Sequence, residues 1–260
     1  MVDQPSSPVA LVSSDRGILI GASRTGKSTL AFDLLQRFRA DYPDSRIMVC
    51  DTKPRWRAER LPDGTSSRRM YRDFVKGDTI PNAMALSDPR DWNLAWHRDT
   101  NPSQTVIVQR LNGSERTNLL FQTWCAERFF NSVSANRPSL IYFDEGHDFF
   151  GGSGFARGSS DIVQRCFRAG GEKGLTSLIG VQRPKGFNPQ CLTETSYCAV
   201  FRFNYAEDMH RLRDMGWPKD VPSPGYDEPY VFRLWRAQFG PNAPKYRLAA
   251  PVGSITKKKG

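Results

Sequence analysis

The chain has 260 residues, 38% hydrophobic and 25% charged, with a mean hydropathy of −0.55. This composition suits a soluble globular protein with one principal domain. No run approaches the roughly eighteen apolar residues that span a bilayer, and Met1-Val2-Asp3-Gln4-Pro5 lacks a basic stretch followed by an apolar one. The expectation is therefore a cytoplasmic chain with no transmembrane segment of its own. A formal charge of +10 favours a polyanionic partner without saying anything about fold.

Residues 1–15 are polar, carry Pro and Ser, and read as an N-terminal arm. Arg16-Gly17-Ile18-Leu19-Ile20 predicts a short buried strand, and beyond it Leu30, Ala31, Leu34, Leu35 and Phe38 recur at helical spacing. Arg46 to Cys50 predicts a second strand and Thr105 to Gln109 a third. Between them, over about 54–104, prolines, arginines and Asp88-Pro89-Arg90-Asp91 break the pattern into an irregular insertion. Its first part is basic: Lys53, Arg55, Arg57, Arg60, Arg68, Arg69 and Arg72 stand against Glu59 and Asp63, with Trp56 and Tyr71 interleaved. Guanidiniums beside aromatics suit nucleic acid, and a solvated basic loop is the other reading.

Ser114 opens a helix over Glu115 to Asn131 carrying Leu119, Leu120, Trp124, Phe129 and Phe130, and Ser139 to Phe143 forms a strand ending in Asp144-Glu145. After Gly151-Gly152-Ser153-Gly154, either a plain connector or a mobile loop, Asp161 caps a helix through Ala169. Strands Leu175 to Val181 and Tyr197 to Phe203 follow. Past several prolines, Tyr230 to Trp235 looks strand-like, and 236–260 forms a basic tail ending in Lys257-Lys258-Lys259. Strands alternating with helices predict an α/β fold, a mostly parallel sheet with helices on both faces, over residues 16–235.

The segment Gly21-Ala22-Ser23-Arg24-Thr25-Gly26-Lys27-Ser28 fits G-x-x-x-x-G-K-[ST] between a strand and a helix. Its glycines allow backbone N–H groups to close around phosphate oxygens, Lys27 adds charge, and Ser28 offers a hydroxyl to Mg²⁺. With Thr29, these residues are the expected ATP contacts. Asp144 at the end of an apolar strand should hold Mg²⁺ with Ser28, and Glu145 should polarise water as general base. Read alone, the same carboxylate pair is an exposed strand-end cap. Cys50, Cys125, Cys166, Cys191 and Cys198 form no C-x-x-C pair, and His97, His147 and His210 are scattered, which argues against zinc or a disulfide framework. His147 lies two residues past Glu145, as a surface or supporting histidine. No N-K-x-D or L-S-G-G-Q sequence occurs, as a regulatory GTPase or a transporter ATPase requires.

Four segments in register resemble the FtsK-HerA superfamily of ring-forming ATPases: the glycine loop, Asp144-Glu145, Gly180-Val181-Gln182-Arg183-Pro184, and Val49-Cys50-Asp51-Thr52-Lys53-Pro54. The resemblance covers roughly Arg16 to Pro184. It implies a RecA-like P-loop NTPase in which Gln182 senses the γ-phosphate or the attacking water, although Val181 stands where that family has threonine. It further implies an arginine donated to the neighbouring subunit's nucleotide, matched best by Arg168, with Arg165 second. A helix C-terminal arginine complementing the dipole is the alternative for Arg168.

Within the superfamily the short chain is similar to the genome-packaging ATPases of membrane-containing and double-jelly-roll viruses. That implies a homo-oligomeric ring, a hexamer by family resemblance, which hydrolyses ATP to move double-stranded DNA into a capsid. Its setting would be the host cytoplasm or the virion's packaging vertex. Partners so implied are duplex DNA, capsid or vertex proteins, and a membrane vertex protein. Two other classes stand beside it: a secretion or filamentous-virion assembly ATPase related to the zonula-occludens-toxin-like proteins, and a small-molecule kinase, which Glu145 with Gln182 disfavours because the pair suits water as acceptor.

Overall fold

Apolar runs without alternation, such as Ile18-Leu19-Ile20 and Leu140-Ile141-Tyr142-Phe143, belong to strands covered on both faces. The computed structural model describes residues 9–51, 56–60, 67–71, 83–108, 114–150, 156–183, 191, 193–203, 206–214, 216–228, 230–236 and 243–248. Its strands are β1 (Arg16–Ile20), β2 (Arg46–Cys50), β3 (Trp56–Arg60), β4 (Ser67–Tyr71), β5 (Met84–Leu86), β6 (Thr105–Val108), β7 (Ser139–Phe143), β8 (Leu175–Val181), β9 (Tyr197–Val200), β10 (Val231–Arg236) and β11 (Lys245–Arg247). Nine of them build one sheet in the order β11-β10-β9-β1-β8-β7-β2-β6-β5, while β3 and β4 pair by themselves. All pairings from β9 to β5 are parallel; β10 and β11 run antiparallel at the other edge.

Helices α1 (Lys27–Asp41), α2 (Trp92–Trp96), α3 (Glu115–Ser132), α4 (Ala156–Ala169) and α5 (Ala206–Asp214) complete the layers. Successive strand residues point to opposite faces. Leu19, Leu140, Tyr142 and Leu178 therefore join Leu30, Leu34 and Phe38 of α1 in one core, while Ile18, Ile141, Phe143 and Ile179 join Cys125, Phe129 and Phe167 of α3 and α4 in the other. Ser114 caps α3, its hydroxyl accepting the Thr117 N–H at 3.3 Å. No described helix is long and apolar enough to cross a membrane.

The structure moves several expected boundaries. Residues 9–15 are not an arm: Ala10 and Leu11 are buried, and the Asp15 carboxylate accepts from Val12 N–H, Ser196 Oγ and Arg236 Nη1. Arg236 does not begin a tail. It closes β10, is fully buried against Asp15 at 3.1 Å, lies over the Tyr197 ring, and is followed by β11. An arginine after an apolar strand reads as its end, and its acid partner is far away in sequence.

From residue 83 the insertion is also regular, since β5 adds an edge strand beside β6, and Trp92 and Ala95 are buried. Asp161 lies inside α4, which starts at Ala156; residues 156–160 carry no apolar repeat to announce that start in the sequence. β9 ends at Val200, although Phe201 and Phe203 remain buried beyond it. The side chains of Lys53 to Arg72, together with Gln109, Gly151 to Gly154, Pro184 and Lys257 to Lys259, lie outside the described residues.

Candidate active site

Every parallel strand ends at the same edge of the sheet, where ligands bind in open α/β folds. Backbone bonds tie the loops there together: Gly21 N–H donates to Val181 O at 3.2 Å, Ala22 N–H to Arg202 O at 2.9 Å, and Asp144 N–H to Cys50 O at 3.0 Å. The glycine loop is thus fixed to β8 and β9, and the carboxylate turn to β2.

The loop's shape needs its special residues. Gly26, with φ of 111°, stands before α1, and Arg24 also takes a positive φ, 62°. Thr25 Oγ1 donates to Ala22 O at 2.8 Å, closing the loop internally. Lys27 Nζ donates to Gly21 O at 2.7 Å and Ala22 O at 2.9 Å, so its charge is held within the loop. The first turn of α1 carries no acidic side chain, so its N–H groups and positive dipole end, with Ser28 and Thr29 on that turn, are suited to bind an anion. These features fit the triphosphate of ATP.

β8 lies between β1 and β7, which puts Gln182 between the glycine loop and the carboxylates. Glu145 is buried, and Gln182 Nε2 donates to its Oε2 at 2.6 Å. Glu145 takes a left-handed φ of 53°, a conformation that costs a side chain about 1–2 kcal/mol. The turn after it is held from below: Asp148 N–H donates to Glu145 O at 2.9 Å, and buried Phe149 meets Phe143 edge-on at 5.0 Å. His147 Nδ1 lies 3.3 Å from Glu145 Oε2 and its Nε2 3.1 Å from Asp148 Oδ1, with the imidazole half-exposed. It belongs to the site's edge, as a supporting group.

Asp144 is buried on the α1 side and accepts a hydrogen bond at 2.9 Å from Tyr142 Oη. Asp144 and Ser28 offer the hard oxygen donors that Mg²⁺ selects. Among the described residues no group of three or more His, Cys, Asp or Glu side chains gathers around one point, so a divalent cation here would complete its shell with phosphate oxygens and water. Asp51, at the end of β2, is buried, and its carbonyl accepts from Gln122 Nε2 at 2.7 Å.

Arg168 is elsewhere. It stands exposed in the last turn of α4, next to the start of β8, whereas Gln182 follows that strand's other end. At about 3.3 Å per residue, the length of β8 separates them by roughly 20 Å. Arg165 lies over the Phe130 ring at 4.8 Å and donates to Asn131 Oδ1. Neither arginine enters this chain's own phosphate site.

Sequence reasoning missed Tyr142, Gly146 and Gly180, which shape the carboxylate turn, and Asp208, a buried acid on α5 that accepts from Arg183 Nε at 3.3 Å. Only Tyr142 carried a signal, a hydroxyl on the same strand face as Asp144.

No family model and no curated protein matches this chain. Solved structures do. The genome-packaging NTPase B204 of Sulfolobus turreted icosahedral virus 2, in complex with ATPγS, superposes with a TM-score of 0.52 at 11% identity, covering 91% of this chain and 98% of that one. The cytoplasmic domain of the Thermomonospora curvata type VII secretion ATPase EccC gives 0.53 at 15% identity, covering 95% of this chain and 27% of that one. ATPases 2 and 3 of EssC from Geobacillus thermodenitrificans give 0.53 at 11%, covering 92% and 40%. The likeness is one of fold. This chain has the α/β P-loop architecture that these packaging and secretion ATPases share.

Proposed function

We propose that this chain hydrolyses ATP and uses the energy as a motor that translocates duplex DNA, in the manner of a viral genome-packaging ATPase. The observation that carries the reading is the Glu145–Gln182 contact at 2.6 Å, one residue from Asp144 and one strand from the glycine loop. A site that only bound nucleotide would have no use for a strained, buried carboxylate there.

In this reading the first turn of α1, with Lys27, binds the phosphates, and Glu145 accepts the proton of the attacking water. Gln182, an amide with one donor face and one acceptor face, orients Glu145 and the water without adding charge. Mg²⁺, held by Ser28 and Asp144, would neutralise charge building on the phosphate oxygens. Arg168 lies too far from its own site for the phosphates, so its part in catalysis would be across a subunit interface of a ring. The fold likeness to a genome-packaging NTPase over nearly the whole of both chains supports DNA as the cargo. A second reading, a motor that moves protein, draws on the equal likeness to EccC and EssC, of which this chain spans well under two thirds.

Steady-state ATP turnover by the purified chain, with duplex DNA titrated at several salt concentrations, separates the two. Stimulation that weakens steeply with salt supports a DNA motor. Turnover indifferent to DNA would remove the DNA reading and leave the ATPase.

A further inference from the structure

Tyr142 and Gly180 are two expensive choices at diagonal positions on the adjacent strands β7 and β8, where Tyr142 pairs with Leu178, two residues before Gly180. Glycine inside a central strand weakens it, and a buried tyrosine must find a partner for its hydroxyl. In this fold each explains the other. A Cβ on Gly180 would lie 2.9 Å from Tyr142 Oη but 3.7 Å from the ring atoms Cε2 and Cζ, so only the hydroxyl needs the space that glycine leaves. Through that space Tyr142 Oη reaches Asp144 Oδ1 at 2.9 Å, with both side chains buried.

We infer that Tyr142 is a positioning residue for the metal-side carboxylate: its hydroxyl, admitted by Gly180, fixes the orientation of Asp144 toward a Mg²⁺–nucleotide complex. The inference rests on the nucleotide-site reading above. A carboxylate at the end of a strand can rotate about its own side-chain bonds. A charge-assisted hydrogen bond from a rigid ring packed in the α1-side core removes that freedom, and such outer contacts commonly decide metal affinity. A phenylalanine would pack the same core without orienting anything.

The test is a cycle of Tyr142→Phe, Gly180→Ala and the double variant in the intact chain, read by Mn²⁺ affinity in the presence of ADP (electron paramagnetic resonance of free Mn²⁺), ADP affinity in EDTA, and melting temperature. Tyr142→Phe should weaken Mn²⁺ binding about 10–100-fold while leaving metal-free ADP affinity unchanged. Gly180→Ala should cause a similar loss where the hydroxyl is present, and no further loss when combined with Tyr142→Phe. Mn²⁺ affinity in Tyr142→Phe within about twofold of the wild type would overturn the inference, since a supporting ligand contact is worth more than that. Equal losses from Gly180→Ala with and without the hydroxyl would overturn it too, as a backbone effect. If Tyr142→Phe melts early, the non-additivity of the cycle decides. Failure of the wild type to bind ADP at all would instead bring down the nucleotide-site reading, and this inference with it.

Discussion

Gly146 follows Glu145 directly, and its missing side chain lets the carboxylate turn pass over β8. A methyl group there would lie 2.2 Å from Cγ1 and 2.3 Å from Cδ1 of Ile179, and 3.2 Å from Gly180 O. Ordinary contact begins near 3.4 Å, so Gly146→Ala requires a displacement of 3.4 − 2.2, or about 1.2 Å. Ile179 is fully buried in a strand flanked by β1 and β7, and it has little room to yield. Overpacking of this kind costs about 1–3 kcal/mol. At roughly 2–4 °C per kcal/mol for a domain of this size, the melting temperature should fall by about 2–12 °C. Much of the displacement should fall on Glu145, and a misplacement of about 1 Å at a reacting group can cost on the order of 10²-fold in rate. The glycine loop is untouched, so the loss should appear in kcat while ATP affinity holds. Steady-state hydrolysis and calorimetry measure both. A variant with wild-type kcat and melting temperature would refute the view that Glu145 is aimed by steric fit over Ile179.

Three further outcomes follow from the geometry. Lys27→Ala removes the ammonium held within the loop and should weaken ATPγS binding by roughly 10–100-fold, with little change in melting, as read by titration calorimetry. Arg236→Met leaves Asp15 as a buried, underpaired charge at the opposite end of the sheet; it should cost about 3–5 kcal/mol, or roughly 6–20 °C, without touching ATP affinity. The five buried thiols all have their pKa pushed up from 9.0, first of all by burial, to about 12 for Cys191 and Cys198. Above pH 9 the unfolded chain therefore releases protons that the fold retains. Each thiol then lowers stability by up to about 1.4 kcal/mol per pH unit as pH rises. Melting curves from pH 7 to 10.5 should stay level and then drop, and a flat profile would contradict the burial.

Much of the fold was legible because parallel strands buried on both faces and the helix α1 advertise themselves by local pattern. The glycine loop and Asp144-Glu145 were legible as chemistry for the same reason: a phosphate site and a strand-end carboxylate are short contiguous segments. Gln182 needed a resemblance to be noticed, and only the strand order showed that it reaches Glu145, because β8 inserts between strands that precede it in the chain. What stayed hidden was set by partners distant in sequence. Arg236 looked like a tail residue until Asp15 was seen beside it, and Gly180 looked like any strand glycine until Tyr142 filled its place. Arg168 is the reverse case, since a local motif singled it out while the fold put it roughly a strand's length from its own phosphates.

Hydrolysis in this site depends on Glu145 acting upon water, and the decisive measurement is the nucleotide recovered from the protein after incubation with labelled ATP and Mg²⁺. The wild type should yield ADP and free phosphate over many turnovers, whereas Glu145→Gln should bind ATP normally and return it uncleaved. Turnover by Glu145→Gln at the wild-type rate would show that the Glu145–Gln182 contact is not the hydrolytic centre.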